Sequence, residues 1–247
     1  MKALGQRTAG GLFTAHCALV FGVLIFGVLS ALVLTLPDLN RRRRVAGTLI
    51  RTAMWCCGAP IRVRGTLPAE RPVMVVANHA SYLDGLLLTA ALGDHISYVV
   101  KDDAAEWPLI GRVLDRLGVV FIARTEVQMS ARQTRALLKR MRAGDSLGIF
   151  PEGTFRRDPG LLPFKQGAFL LAARTGTTVV PVVIHGSRTF LGEGQRWPRW
   201  SRIRIDILAP HYVSGNAPEA LAEQVRASMQ ANLGETDPAP ASLEPAA

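Results

Sequence analysis

Cysteine is scarce in this chain, and what there is cannot build a framework. Among 247 residues only Cys17, Cys56 and Cys57 occur, an odd number with two adjacent, which excludes a disulfide scaffold. No Cys-x-x-Cys pair exists, so a thiolate zinc site is not expected. Lysine is scarce too. Lys2, Lys101, Lys139 and Lys165 are the only ones, and the net charge of +10 is carried by arginine. Charged residues make up 19% of the chain and hydrophobic ones 49%, which excludes general disorder. A mean hydropathy of +0.20 is too low for a polytopic membrane protein. A Gly-x-Ser-x-Gly elbow is missing, which argues against a serine hydrolase. No internal repeat is visible. The length suits one domain with an appendage. The basic balance points to a polyanionic partner, either nucleic acid or an anionic membrane surface.

Charge of either sign is absent from Gly10 to Leu36. A bilayer-crossing helix needs about 20 apolar residues, and this run is long enough. A signal peptide would have a shorter apolar region, about 7–15 residues, and a small-x-small cleavage site. A buried core helix would carry a polar face, whereas only His16, Ser30 and Thr35 interrupt this run. Pro37 ends it, and Arg41, Arg42, Arg43 and Arg44 follow. Arginines beside a span favour the cytoplasmic side and can hold anionic headgroups at about 1 kcal/mol each. The segment 45–58, apolar with Arg51 inside and Trp55 near its end, suits an interfacial helix. Residues 1–58 are therefore expected to form a membrane anchor, with a hydrophobic helix over 12–36 and an interfacial helix over 45–58. Sequence alone leaves open a single span or a hairpin dipping into one leaflet. The expected location is the cell inner membrane, with the bulk of the chain on its cytoplasmic face.

Beyond the anchor, strand and helix patterns alternate. Strands are expected at 61–64, 73–77, 96–100, 119–123, 146–150, 178–184 and 203–208. Helices are expected at 81–92, 109–117, 129–143, 166–174 (capped by Gly176) and 218–233. Pro181 marks its strand as an edge or the site of a bulge. The pattern predicts an α/β domain over 59–233, with a mixed, largely parallel sheet flanked by helices. Residues 234–247, rich in Pro and Ala, should be a disordered tail.

Three loops can carry chemistry. In Asn78-His79-Ala80-Ser81-Tyr82-Leu83-Asp84 a strand gives way to a helix, the edge at which open α/β sheets bind ligands. His79 suits a general base, because imidazole titrates near neutrality. A bend after His79 would bring Asp84 to Nδ1, fixing the tautomer and leaving Nε2 free, as in a serine-protease triad without its serine. Ser81-x-x-Asp84 also matches a capping box, which would make Asp84 only a helix cap. In Gly118-Val119-Val120-Phe121-Ile122-Ala123-Arg124 an arginine follows an apolar strand; its planar fork suits phosphate, and a surface ion pair is the plainer reading. In Phe150-Pro151-Glu152-Gly153-Thr154-Phe155-Arg156-Arg157 the glycine allows a tight turn whose amide groups can hold an anion. Glu152 is odd beside a phosphate unless it accepts a substrate hydroxyl or orders the loop.

Taken in order, these loops resemble the 1-acylglycerol-3-phosphate acyltransferases of the glycerolipid acyltransferase family. That family's Asn-His-x-x-x-x-Asp block is met by Asn78, His79 and Asp84. Its Gly-x-x-Phe-Ile-x-Arg block is met by Gly118, Phe121, Ile122 and Arg124, and its Phe-Pro-Glu-Gly-Thr block by Phe150 to Thr154. A fourth block, an apolar strand with a central proline, is met by Val180-Pro181-Val182. The resemblance covers residues 60 to 210. It departs where Phe155 separates Thr154 from Arg156, which leaves open whether Arg156 or Arg157 meets a phosphate.

The resemblance implies acyl transfer from acyl-CoA or acyl carrier protein to a lysolipid hydroxyl, foremost the sn-2 hydroxyl of 1-acylglycerol-3-phosphate. It implies His79 as base, Asp84 as its partner, and Lys101 at a strand end as an oxyanion stabiliser. It implies Asn78, Arg124, Glu152, Gly153, Thr154 and Arg156 around the acceptor head group, with no cofactor and no metal. The nearest alternative acceptor is another lysolipid, such as lyso-ornithine lipid. A non-catalytic, membrane-anchored anion-binding module is the alternative of a different class. Metal-dependent hydrolysis lacks a third ligand beside His79 and Asp84. Arg196-Trp197-Pro198-Arg199-Trp200-Ser201-Arg202 interleaves tryptophan with arginine; beside an anchor this favours a lipid surface over nucleic acid. His16, His95, His185 and His211 are read as structural.

Overall fold

The computed structural model describes residues 2–93, 95–122, 131–213 and 217–235. Seven strands form one sheet: β1 (Ile61–Arg64), β2 (Val73–Ala77), β3 (Ile96–Lys101), β4 (Val120–Ile122), β5 (Ser146–Ile149), β6 (Thr178–His185) and β7 (Ile203–Ile207). Their order across the sheet is β1-β7-β6-β2-β5-β3-β4. All pairings are parallel except β6 with β7, so β1 and β7 run against the rest. The sheet is mixed and largely parallel, as expected.

The central strand explains the layering. β2 reads Val-Met-Val-Val-Ala and is buried at every position, as a strand covered on both faces must be. Val73, Val75 and Ala77 face one apolar layer and Met74 and Val76 the other. The first layer is supplied by α3 (Leu39–Cys56), α4 (Asp84–Leu92) and α8 (Ser187–Leu191). The second comes from α6 (Ala131–Arg142), α7 (Gly167–Thr175) and α9 (Pro218–Leu233). α5 (Pro108–Arg116) flanks the first layer. Gly176 ends α7 in the left-handed conformation, φ 63°, as expected of a glycine cap.

The charge-free run is one continuous helical stretch: α1 (Lys2–Phe21), a π-helical segment Gly22–Leu29, and α2 (Ser30–Thr35). Its stretch from Gly10 to Thr35 is long and apolar enough to cross a membrane. It also lies along the domain. Cys17, Leu29 and Val33 are buried in the first layer. Phe13 meets Phe190 of α8 edge-on, with ring centroids 6.4 Å apart, and His16 Nε2 lies 3.0 Å from the Cys56 carbonyl oxygen.

Three expectations change. The helix expected at 45–58 begins at Leu39, and its apolar side is buried on α4 through Ala46, Ile50 and Met54. Arg42 and Arg43 are therefore not surface charges. Arg42 donates to the carbonyls of Leu36 (2.7 Å), Pro37 (2.6 Å) and Arg116 (2.8 Å), and Arg43 to that of Leu117 (2.9 Å) and to Ser97 Oγ (2.7 Å). Arg42 and Arg116, which donates to the Leu34 and Leu36 carbonyls, together close the end of α2. β6 is not an edge: it lies between β2 and β7. Its proline is absorbed by a bulge. The pairing Val182↔Ile207 gives way to Val179↔His211, so the β7 side carries one extra residue opposite Pro181. The helix expected from Ser81 starts at Asp84. The tail expected at 234–247 lies outside the described residues from 236 onward.

Candidate active site

Three parallel strands, β2, β5 and β3, deliver their carboxyl ends to one edge of the sheet. Asn78 follows β2. Its Oδ1 accepts from the Ile184 amide (2.7 Å) and its Nδ2 donates to the Ile184 carbonyl (3.1 Å), at 2% exposure. The amide ties the end of β2 to β6. Both polar atoms of the Asn78 side chain, expected at the acceptor, are thus engaged by Ile184.

The next residue is His79. Its Nδ1 donates to Asp84 Oδ2 at 2.9 Å. Asp84 is fully buried, and the same oxygen accepts the amides of Ala80 (2.6 Å) and Ser81 (2.8 Å). The chain from 80 to 83 thus wraps around the carboxylate, which is how a five-residue spacing closes a ring-to-carboxylate contact. The carboxylate lies against the ring nitrogen as the orienting reading requires, whereas the capping box does not form: the helix begins at Asp84 itself, its N-cap is Leu83, and no side chain caps it. With its Nδ1 proton on Asp84, the imidazole leaves Nε2 as the basic atom. Nε2 has no hydrogen-bond partner among the described residues.

Two aromatic rings pack against the imidazole. Phe150 stacks on it with centroids 4.3 Å apart and planes 20° apart, and Phe155 lies tilted at 4.5 Å. Tyr82 meets Phe155 edge-on at 4.9 Å. Phe155, which separates Thr154 from Arg156, is thus a wall of the histidine pocket.

Glu152 orders the loop from inside. Its Oε1 accepts the His79 amide (2.7 Å) and its Oε2 the Leu162 amide (2.8 Å), at 4% exposure. Burial pushes its carboxyl up to about 7, against the opposing pull of those two amides and of Arg188. Like those of Asn78, its polar side-chain atoms are engaged within the fold, in keeping with the loop-ordering reading. Gly153 turns the chain at φ 71°, its amide donating to the Phe150 carbonyl (3.1 Å). Thr154 and Arg157 are exposed and Arg156 half-buried. Lys101 ends β3; continuing the registers Tyr98↔Gly148 and Val76↔Ile149 brings it level with Pro151 and Asn78. Its side chain lies outside the described set, and Arg124 lies outside the described residues altogether.

Two basic residues at this edge escape sequence reasoning. Arg188 donates to the carbonyls of Arg156 (2.6 Å), Asp158 (2.6 Å) and Gly160 (3.4 Å) and pairs with Glu235 (3.2 Å). It shapes the basic loop after Gly153, and nothing in its local sequence announces this. Lys165 lies over Gly153; its one signal is its rarity. His185 has partners that its sequence context hides, Asp206 Oδ2 at 3.0 Å and Arg204 at 3.1 Å. No three His, Cys, Asp or Glu side chains converge on a metal-sized site among the described residues.

The model of the acyltransferase family matches residues 60–185, half of the chain. The chain belongs to the acyltransferase family. Within this acyltransferase the matched region runs from the start of β1 to the end of β6 and includes His79, Asp84 and Glu152. The chain is 31% identical to a 1-acyl-sn-glycerol-3-phosphate acyltransferase of Borreliella burgdorferi over 57% of each chain. It is 31% identical to the alpha enzyme of that name from Ovis aries, over 70% of this chain and 62% of the relative. It is 30% identical to a lyso-ornithine lipid O-acyltransferase of Rhizobium meliloti, over 60% of this chain and 50% of that one. The acyltransferase thus spans between half and two thirds of these curated relatives. Its fold is that of the crystal structure of the 1-acyl-sn-glycerophosphate (LPA) acyltransferase PlsC from Thermotoga maritima. The TM-score is 0.73 and the identity 22%, over 92% of this chain and 95% of the other.

Proposed function

We propose that this protein transfers a fatty acyl group from acyl-CoA or acyl carrier protein to the sn-2 hydroxyl of 1-acylglycerol-3-phosphate, giving phosphatidic acid. The observation that carries this reading is the 2.9 Å contact between His79 Nδ1 and a buried Asp84. In it, His79 Nε2 removes the acceptor proton as the hydroxyl oxygen attacks the thioester carbonyl. The tetrahedral adduct collapses by breaking the carbon–sulfur bond, and the departing thiolate takes the proton back from Nε2. A thioester is already activated, so no acyl-enzyme is required. Lys101, at the level of the site, is assigned to the developing oxyanion. Arg124, Gly153, Thr154 and Arg156 are assigned to the acceptor's phosphoglycerol, while Asn78 and Glu152 hold the frame. The Rhizobium relative supports a second acceptor, lyso-ornithine lipid, served by the same pair.

The membrane attachment that fits best is a one-leaflet hairpin at the cytoplasmic face of the inner membrane, where both thioester donors are found. The apolar helix touches the domain near Phe13 and again near Leu36, which favours a helix lying with the domain over one crossing away from it. Its outward residues Leu12, Leu19, Val23 and Phe26 would contact lipid. Trp55, Trp197 and Trp200 are 70%, 61% and 56% exposed, and Trp200 Nε1 donates to the Gly58 carbonyl at the end of α3 (2.9 Å). They extend the same surface, with arginines beside them for anionic headgroups.

Thiol release from acyl-CoA with a panel of lysolipids tests the chemistry. Wild-type protein should release thiol with lysophosphatidate, and His79→Ala should lose roughly 10²–10⁴-fold of that rate. Activity within threefold of wild type in His79→Ala would remove the histidine from the mechanism, and release with another lysolipid only would move the acceptor assignment.

A further inference from the structure

The turn that supports His79 also holds a cation to which the mechanism gives no task. The Lys165 amide donates to the Pro151 carbonyl (2.8 Å), which fixes this segment against the turn at 150–153. The side chain then runs across Gly153. A Cβ at position 153 would lie 2.7 Å from Lys165 Nζ and 2.8 Å from Cε. The missing side chain at 153, whose φ of 71° already favours glycine, is what leaves room for the ammonium. Lys165 is exposed, and among the described residues its ammonium makes no hydrogen bond and no ion pair.

Its neighbours do not neutralise it. The carboxyl next in sequence to Gly153, that of Glu152, turns both oxygens inward to the amides of His79 and Leu162. Arg156 and Arg157 follow in the same loop, and Arg188 lies against that loop's carbonyls. Lys165 also sits two residues before α7, at the helix end where a cation is disfavoured. Arg188 is occupied in the fold, whereas the Lys165 ammonium stands without a partner among the described residues, over a tight turn and one residue from a group bonded to His79. Such an arrangement attracts an anion that arrives with the substrate.

We infer that Lys165 binds a phosphate group of the substrate over the Gly153 turn, namely the phosphate monoester of the acceptor; the inference rests on the acyltransferase reading of this edge. A phosphate of a CoA donor offers the same chemistry, and the experiment separates the two. Equilibrium binding of lysophosphatidate, CoA and phosphate-free monoacylglycerol is measured on the full-length protein in detergent, in a His79→Ala background so that turnover does not interfere. Lys165→Met should weaken lysophosphatidate about tenfold or more, the loss of one charge-assisted contact. Lys165→Arg should recover most of that loss, and monoacylglycerol should bind unchanged. Weakening confined to CoA would keep the phosphate and assign it to the donor. Both phosphate ligands within twofold of the parent, or an equal loss for monoacylglycerol, would overturn the inference. Acyl transfer is read on wild-type protein prepared in parallel. Its failure would count against the acyltransferase reading, while the binding comparison would still decide on Lys165.

Discussion

Asp84 Oδ2 receives three donors at once, the His79 ring and the amides of Ala80 and Ser81. An asparagine oxygen can keep two of these bonds, but its amide nitrogen would replace Oδ1, which is buried without a hydrogen-bond partner. Asp84→Asn should therefore remove the charge that stabilises the imidazolium and lower stability by about 1–3 kcal/mol. The expected result is a loss of about 10²–10⁴-fold in thiol release from protein that is still folded at the assay temperature. A variant that retained the rate would reduce Asp84 to an anchor of the loop. The contact of the pair was legible in the residue types as one of two readings, the other being a helix cap, and the fold decides for the contact. The engagement of Asn78 by a distant strand had no signal in the sequence, while for Glu152 the ordering of its loop was one of two readings. Their partners, Ile184 and Leu162, lie 106 and 10 residues away, and only the folded chain reveals that their polar groups are already engaged. Lys165 and Arg188 carried no local pattern, since what they do depends on loops brought together by the sheet.

Among the elements, the turn following β5 has the most testable electrostatics. Glu152 is buried beneath it with its carboxyl raised from an ordinary value to about 7. A raised acid binds its proton more tightly in the folded chain than in the unfolded one. Its contribution to stability is therefore full below the unfolded value and is lost as pH rises through about 7. Between pH values of about 5 and 8, thermal midpoints of wild type should fall relative to those of Glu152→Gln. The variant should start lower, because the glutamine amide nitrogen cannot accept one of the two backbone bonds, a cost of about 1–3 kcal/mol. Parallel midpoint curves for the two proteins would show that Glu152 does not titrate in this range. The same turn illustrates why some elements were easy to read and others not. β2, β5 and β7 announce themselves by composition. α3 was misjudged at its start because a run of arginines looks like solvated surface, whereas Arg42 and Arg43 lie in the interior, satisfied by carbonyls at the ends of α2 and α5. Pro181 suggested an edge because a proline removes a ladder bond; a central strand tolerates it where the partner carries an extra residue.

At the scale of the whole molecule, Trp55, Trp197 and Trp200 and the outward residues of the apolar helix are exposed, and we assign them to one lipid-facing side. If that side rests on lipid, tryptophan emission from protein reconstituted in anionic vesicles should be quenched by lipids labelled along the acyl chain. Replacing Trp197 and Trp200 with phenylalanine should remove a large share of the quenchable signal, because the remaining pair is split between Trp55 and Trp107. Equal accessibility to a water-soluble quencher before and after reconstitution would place those residues away from the bilayer. The apolar helix has a further consequence for how such a protein can be handled and where it can reside. Because Cys17, Leu29 and Val33 help line the first layer, and the carbonyls at the end of α2 satisfy Arg42 and Arg116, the helix is a wall of the domain as well as its attachment. Trimming it would expose apolar residues and strand two guanidinium groups, so no soluble catalytic fragment is to be had by truncation. If the outward face of the helix rests in a bilayer, the same coupling leaves the domain no ready route into water, because it would carry an oily flank with it.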